Sequence, residues 1–141
     1  MAIRGLKAHL ARLNKMQSSS LEDRIGRALF AGGEIIQTAA QISITTGAVS
    51  GKGHVPSKPG ESPSNDSGVL AGNIETTQAG PLKVLVGSYA PYSKSLEFGT
   101  SRMAARPFMV PARDKSKKQV RALMAKAINA HIRSARSNEK G

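Results

Sequence analysis

The residues of this chain that could do acid–base or metal chemistry are few and scattered. Its three histidines, His9, His54 and His131, are far apart in sequence, and no His-x-x-x-His pair or cluster of carboxylates accompanies any of them. Zinc sites usually gather such ligands at short spacing. The chain also has no cysteine, which excludes disulfides, thiolate ligands and a cysteine nucleophile. We therefore predict no metal site, no cofactor and no catalytic residue, and hence no enzyme.

A glycine-rich segment, residues 47–53, superficially resembles a phosphate-binding loop. In a P-loop, a serine or threonine follows the lysine because its hydroxyl binds Mg²⁺. Here Gly53 follows Lys52 instead, and the segment comes after a predicted helix rather than a strand. We interpret it as part of a flexible loop.

Glu97 is the one acid within residues 89–112. A catalytic carboxylate normally works with a partner group, and the neighbouring sequence offers none. We predict a structural role in which Glu97 accepts hydrogen bonds from turn amides or pairs with Arg102 or Arg106.

The same segment holds four of the five aromatic residues of the chain, Tyr89, Tyr92, Phe98 and Phe108. These rings could stack on nucleic-acid bases. Because so few aromatics are available to build a core, we predict instead that most are packed inside, with the tyrosine hydroxyls reaching the surface. Phe98 and Phe108 are predicted to bury against the long helices, and Gly99 to adopt a positive φ.

Two amphipathic helices open the chain. Residues 1–19 are predicted to form a basic helix or arm, with apolar residues at helical spacing. A second helix is predicted to begin at an N-cap, Ser20, and its apolar stripe continues to Ile42. Gly32 and Gly33 each weaken such a helix by about 1 kcal/mol relative to alanine, so two shorter helices are the alternative. The apolar residues of the first helix are Ile3, Leu6, Leu10 and Leu13.

Residues 45–68 are rich in proline, glycine and serine and predict a long loop, mobile in isolation and ordered by a neighbouring subunit. Residues 70–78 and 82–88 are predicted strands, joined by a turn at 79–81. A helical turn is predicted at 91–96, ended at 98–100, and a further extended segment at 103–104. Two strands alone are marginal in water, so the sheet needs more strands or a covering helix.

The last helix is predicted from Pro111, in its first turn, to about His131. Residues 134–141 are predicted to be a disordered tail. The fold class is therefore a single α+β domain, with residues 20–133 as its core. The long helix and the C-terminal helix pack on a small antiparallel sheet made from residues around 69–110.

The net charge of +12 lies mostly at the two ends of the chain. Residues 113–141 carry nine basic and two acidic residues, whereas residues 28–112 carry six and five. This pattern favours an acidic partner, either nucleic acid or an acidic protein ring, and a solvated helix face is the alternative. No apolar run is long enough to span a membrane, and the N-terminus lacks the apolar core of a secretory signal. The predicted contact residues are Lys115, Lys117, Lys118, Arg121 and Lys126.

Residues 89–112 resemble the signature of the head–tail joining, or tail-completion, proteins of long-tailed bacteriophages. Residues 67–74 and the proline-rich stretch 56–63 resemble upstream parts of the same family more weakly, and the segments before residue 20 and after residue 133 are less similar. The matching signature residues are Tyr89, Ala90, Tyr92, Glu97, Phe98, Gly99, Thr100, Pro107, Phe108, Pro111 and Ala112.

The resemblance implies a structural neck protein that completes the tail and joins it to the DNA-filled head. It implies a ring of copies of the chain, a hexamer being one candidate. Its other partners would be a head-side connector and a tail-side terminator or tube protein. It further implies assembly in the host cytoplasm and a final place in the virion. The alternative is a sequence-independent nucleic-acid-binding protein that uses its basic terminal helices.

Overall fold

The computed structural model describes residues 5–16, 19–49 and 51–137. Within them lie five α-helices and one β-hairpin, so the fold is α+β, as predicted. The prediction that Ile3 belongs to the first helix lies outside the described residues. The elements are α1 (Leu6–Met16), α2 (Ser19–Thr45), α3 (Val69–Gly72), β1 (Ile74–Gly80), β2 (Lys83–Ser88), α4 (Ser93–Phe98) and α5 (Met109–Ser137), with a 3-10 turn at Gly51–Gly53.

Helix α2 runs unbroken through Gly32 and Gly33, so the alternative of two shorter helices is wrong. These glycines let two other elements approach α2. A Cβ atom at Gly32 would lie 2.9 Å from the side chain of Val120 on α5, and one at Gly33 would lie 2.6 Å from that of Thr76 on β1. Successive helical residues point about 100° apart, so the two glycines lie on two different faces of α2. Helix α2 is thus the central layer between α5 and the hairpin.

The hairpin is smaller than the predicted sheet. Strand β1 pairs antiparallel with β2, from Ile74 opposite Ser88 to Gly80 opposite Lys83. The predicted first strand began too early, because residues 69–72 form helix α3 and bury Leu70 in the core. Beyond the hairpin, the described residues contribute only an isolated bridge between Thr100 and Met103. Helix α2 provides the cover that a two-stranded sheet needs.

The core lies where the C-terminal half of α2 meets α3, the start of β1 and the start of α5. Its largest fully buried side chains are Phe108, Ile44 and Ile74. The remaining members are small or come from short elements, which suits a chain with few aromatics. They are Ala40, Leu70, Ala90 and Ala112.

Helix α5 is longer than predicted at its C-terminal end. It continues to Ser137, so the predicted disordered tail starts four residues too early. The reason is packing, because α1 contacts α5 and both His131 and Ala135 are buried. Residues 138–141, the rest of the predicted tail, lie outside the described residues. No helix in the described part of the chain combines the length and apolarity needed to cross a bilayer.

The predicted long loop runs back along the body of the domain. The amide of Asn65 donates to the carbonyl of Ile44 at 3.0 Å, and the amide of Gly60 donates to the carbonyl of Ala105 at 2.9 Å. Arg106 Nε donates to the carbonyl of Ser57 at 3.1 Å. These contacts join the loop to both α2 and the signature segment. Its ordering by a neighbouring subunit stays a prediction.

Candidate assembly site

Glu97 joins the two halves of the signature segment through the first turn of α5. Its Oε2 accepts hydrogen bonds from the amides of Phe108 at 2.8 Å and Met109 at 3.0 Å, and its Oε1 accepts one from Val110 at 2.8 Å. The first amides of a helix have no partner within it, and a negative charge there is favourable. The side chain is buried at 9% exposure. We call this arrangement the Glu97 clamp.

The sequence offered two structural roles for Glu97, and the structure shows the first. Backbone amides are its partners, although they belong to the start of α5 rather than to a local turn. Arg106 is engaged elsewhere, through its bond to the carbonyl of Ser57. The clamp therefore uses both oxygens of this carboxylate to position the backbone.

Gly99 allows the chain to turn sharply after α4 on its way to α5. Its φ is +73° and its ψ is 178°, a combination that is essentially restricted to glycine. A Cβ atom there would lie 2.9 Å from both the amide nitrogen of Ala105 and the carbonyl oxygen of Met103. The predicted positive φ is confirmed. The chain then closes with the amide of Arg106 donating to the carbonyl of Leu96 at 2.7 Å.

The four aromatic residues of the segment divide into one core residue and three surface residues. Phe108 is 1% exposed, as predicted. The predicted burial of Phe98 is wrong, because it is 72% exposed. On the last turn of α4, Glu97 points inward to the clamp, and the next side chain is rotated about 100° away from it. Most of the four rings were predicted to pack inside, with the tyrosine hydroxyls at the surface, but Tyr89 and Tyr92 are also 62% and 44% exposed.

The remaining signature residues lie around the clamp. Pro107 is half-buried, and its carbonyl accepts a hydrogen bond from the Ser62 hydroxyl at 3.4 Å. Pro111 lies in the first turn of α5, as predicted, and both it and Thr100 are exposed. Tyr92 borders a cleft of about 220 Å³ between the long loop and α4. The signature residues thus divide between the core, which holds Ala90, Phe108 and Ala112, and the surface around the clamp.

The five predicted basic contact residues are all exposed on α5. They do not converge on a single point, since neighbours such as Lys117 and Lys118 are about 100° apart around the helix. The arrangement offers a diffuse positive surface rather than a pocket for one anion. Its role as a contact surface stays a prediction.

Sequence reasoning missed an apolar cleft beside β2. It has a volume of about 310 Å³ and lies between the hairpin, α2 and the start of α5. The alternating valines of β2 predicted a strand, but the wall provided by α5 depends on the Glu97 clamp. The cleft, which we call the β2 cleft, is lined by Ile36, Val84, Val86, Met109, Val110 and Arg113.

Within the described ranges, no three His, Cys, Asp or Glu side chains come together as metal ligands. His54 lies in the loop, with Nδ1 3.0 Å from the carbonyl oxygen of Val49 and 4.0 Å from the Asp66 carboxylate. His131 lies on the buried side of α5. The histidines are therefore parts of different elements.

The fold is a small α+β domain in which Glu97 and Gly99 fix the path of the chain into α5. The chain belongs to the family described as "Bacteriophage HK97-gp10, putative tail-component", which it matches over residues 7–99, more than half of its length. It is a structural component of the phage tail, and thus of the virion. No significant match was found among curated proteins or among solved structures.

The family assignment confirms the resemblance drawn from the sequence. The matched region contains Glu97 and Gly99 but ends before Phe108. The clamp therefore joins the matched region to a helix that lies beyond it.

Proposed function

We propose that this tail component is a neck protein that completes the tail and joins it to the DNA-filled head as an oligomeric ring. Membership of the tail-component family over residues 7–99 carries the proposal. The resemblance of residues 89–112 to tail-completion proteins makes it specific to the neck. Its partners are copies of itself, a head-side connector and a tail-side terminator or tube protein. It assembles in the host cytoplasm and ends in the neck of the virion.

The distribution of apolar side chains supports an assembly role. Large apolar residues are exposed on α1, on the hairpin and around the clamp, while the core is built largely from alanine and a few larger side chains. Burying such surface between subunits stabilises a small domain by mass action. Exposed aromatics are also the side chains most enriched at protein interfaces. The exposed Phe98, Tyr89 and Tyr92 are the first candidates for contacts with the partners.

The proposal includes the absence of enzymatic activity. Glu97, the one acid of the signature segment, is buried in the clamp and bonded to three amides. A general base must reach a substrate proton, and this buried carboxylate faces backbone amide donors instead. Assays with nuclease, protease and phosphatase substrates should show no turnover that Glu97→Gln abolishes.

Deletion of the gene from its phage tests the proposed function. Lysates should then contain DNA-filled heads and free tails that electron microscopy shows unjoined, and supplying the wild-type chain in trans should restore joined particles. Joined particles in the absence of the protein would contradict the proposal. Heads without any tails would place the chain in tail construction instead of joining.

A second candidate function is sequence-independent binding to nucleic acid, favoured by the exposed basic surface of α5. The region 113–141 has a net charge of +7. A neck ring encloses DNA, so both functions are compatible in one protein. Counterion release makes DNA binding steeply salt-dependent. Because attraction to an acidic protein ring is also charge-driven, measurable affinity for duplex DNA is what separates the two partners.

A further inference from the structure

The β1–β2 hairpin has two outer edges, and no other described element pairs with them. The backbone bonds outside the regular elements include one from the amide of Tyr89 to the carbonyl of Asn73, 2.9 Å long, which continues the hairpin ladder. None of these bonds reaches the backbone of Thr76, Gln78, Val84 or Val86. A sheet of two strands consists only of edges, and exposed edges are templates for a further strand.

The register shows which backbone groups face outward. In an antiparallel pair, opposite residues alternate between bonded and non-bonded positions. Because Tyr89 bonds to Asn73, the next bonded pair is Glu75 with Gly87, and then Thr77 with Leu85. The amides and carbonyls of Thr76 and Gln78 therefore point to the free side of β1. Those of Val84 and Val86 point to the free side of β2.

The free edge of β2 opens onto the β2 cleft. Met109 and Val110 form its far wall, and their amides are the ones that the Glu97 clamp holds. A strand added to β2 would thus find backbone partners on the edge and an apolar recess for side chains on the α2 side of the sheet. Addition of a strand to a sheet edge with side-chain pockets is a recognised mode of protein association.

We propose that the β1 edge of one copy pairs antiparallel with the β2 edge of the next, so that the hairpins form a continuous sheet between subunits. The inference rests on the proposed ring and names its interface. The two edges belong to one rigid hairpin and differ from each other, so the contact is head-to-tail, the type that closes into rings. Isologous dimers and the addition of another tail protein's strand are the competing arrangements.

Charge and length on the two strands favour a second copy as the occupant. Strand β1 has seven residues and β2 has six, so one can cover the other. Glu75 is the only charged residue of β1, and Lys83 is the only one of β2. Opposite charges on the two edges favour a β1-to-β2 contact over pairing of like edges. Neither strand contains a proline, which would block pairing.

Cysteine cross-linking tests the interface, because the chain has no cysteine of its own. Purified Thr77→Cys and Leu85→Cys chains, one extended by a tag so that their masses differ, are mixed, reassembled at high concentration and oxidised. Paired strands bring Cα atoms to within disulfide reach. Glu75→Cys replaces Thr77→Cys to cover the adjacent register on the same face. Ala125→Cys, exposed on α5, is the control for random collision.

Mixed disulfides between a β1 chain and a β2 chain, well above the Ala125→Cys background, are expected. Disulfides only between identical positions would overturn the proposal in favour of isologous pairing. Cross-linking no greater than the control, or a protein that native mass spectrometry shows to be monomeric at every concentration, would also overturn it. The test uses purified protein alone. Normal head–tail joining without mixed disulfides would therefore reject the interface and leave the proposed function standing.

A backbone substitution provides the second test. Gln78→Pro removes an amide that faces the free edge of β1 while leaving the bonded positions of the hairpin intact. Gln78→Ala retains that amide and is the matched control. Native mass spectrometry should show that Gln78→Pro loses the oligomer and that Gln78→Ala keeps it, with the two variants equal in circular dichroism. An oligomer in Gln78→Pro that matches the control would overturn the proposal.

Discussion

The side chain of Glu97 is hydrogen-bonded to the backbone of Phe108: Glu97 Oε2 accepts a hydrogen bond from the Phe108 amide at 2.8 Å. The carboxylate also holds the next two amides, so one buried acid sets the start of α5. The phenyl ring of Phe108 enters the core at the same point, with 1% exposure. The most buried aromatic and the one acid of the signature are therefore parts of one structural unit.

Replacing Glu97 should destabilise the domain. In Glu97→Gln the side chain keeps one acceptor oxygen, loses its charge and turns an NH₂ group toward amide donors. Loss of hydrogen bonds to a buried charged group should lower the free energy of unfolding by about 1.5–3 kcal/mol. Urea unfolding measures this, with Glu34→Gln, an exposed acid on α2, as the control. Equal midpoints for the two variants would refute a stabilising clamp.

Truncation to alanine should lower the free energy of unfolding strongly at Phe108 and hardly at all at Phe98. Phe108→Ala empties the core and should cost roughly 3–5 kcal/mol. Phe98→Ala removes a ring that is 72% exposed and should change stability by no more than about 0.5 kcal/mol. Thermal unfolding of both variants is the measurement. An unchanged midpoint in Phe108→Ala would show that the ring is not a core residue.

The variant at Phe98 also tests whether this ring acts in assembly rather than in stability. If Phe98 contacts a partner in the neck, Phe98→Ala should reduce the yield of joined particles while the purified domain unfolds normally. Electron microscopy of complemented lysates counts joined and unjoined particles. Wild-type yield with Phe98→Ala would exclude this ring from the docking surface.

Gly99→Ala should be destabilising because its backbone conformation and its neighbours both exclude a Cβ atom. The unfavourable backbone region alone costs about 1–3 kcal/mol, and the 2.9 Å approach to Ala105 and Met103 adds to it. Gly72→Ala is the control, since nothing lies within 4 Å of a Cβ atom there. Chemical denaturation should give Gly99→Ala a much lower free energy of unfolding than Gly72→Ala. Equal stability would contradict the steric argument.

The basic surface of α5 should reveal its partner through salt dependence. Changing Lys115, Lys117, Lys118 and Lys126 to glutamine should reduce the slope of log affinity for duplex DNA against log salt by up to about one per lysine that contacts a phosphate. The matched control changes Lys7, Lys52, Lys58 and Lys94, all exposed, with the same loss of charge. Binding measured at several salt concentrations compares the two variants.

A count of infectious particles tests the alternative partner of the basic α5 surface, an acidic protein ring. If α5 docks on an acidic protein ring, the four α5 substitutions should reduce infectious particles while DNA affinity stays negligible in every variant. Wild-type behaviour in both assays would identify the charge as a solvated helix face.

The long loop should be more accessible in free protein than in assembled necks. Trypsin can cleave after the exposed Lys52, which precedes Gly53, but it does not cut the bond between Lys58 and Pro59. We expect the first cut within the loop of free protein at Lys52 and protection of the same residue in purified virions. Mass spectrometry of the fragments locates the cuts. Equal protection in both states would contradict ordering by assembly.

Local sequence was sufficient to predict the two long helices and the hairpin, although it did not predict α3. Apolar spacing predicted α2 and α5, Pro111 predicted the first turn of α5, and alternating valines predicted β2. The positive φ of Gly99 followed from residue type, whereas residue type left Glu97 with two alternatives, backbone amides or a nearby arginine. The same residues supported the family resemblance, since a signature of special backbone positions is visible without coordinates.

Only tertiary structure decided which side chains are buried and where elements end. Phe98 and Phe108 are the same type of residue, but Phe98 faces solvent because Glu97, its neighbour at the end of α4, points inward. Gly32 and Gly33 appeared to weaken α2, yet they permit close approach of α5 and the hairpin. Contacts with α1 extend α5 to Ser137. Residue type and periodicity determine local conformation, whereas burial depends on which distant surfaces meet, and that information is spread over the whole chain.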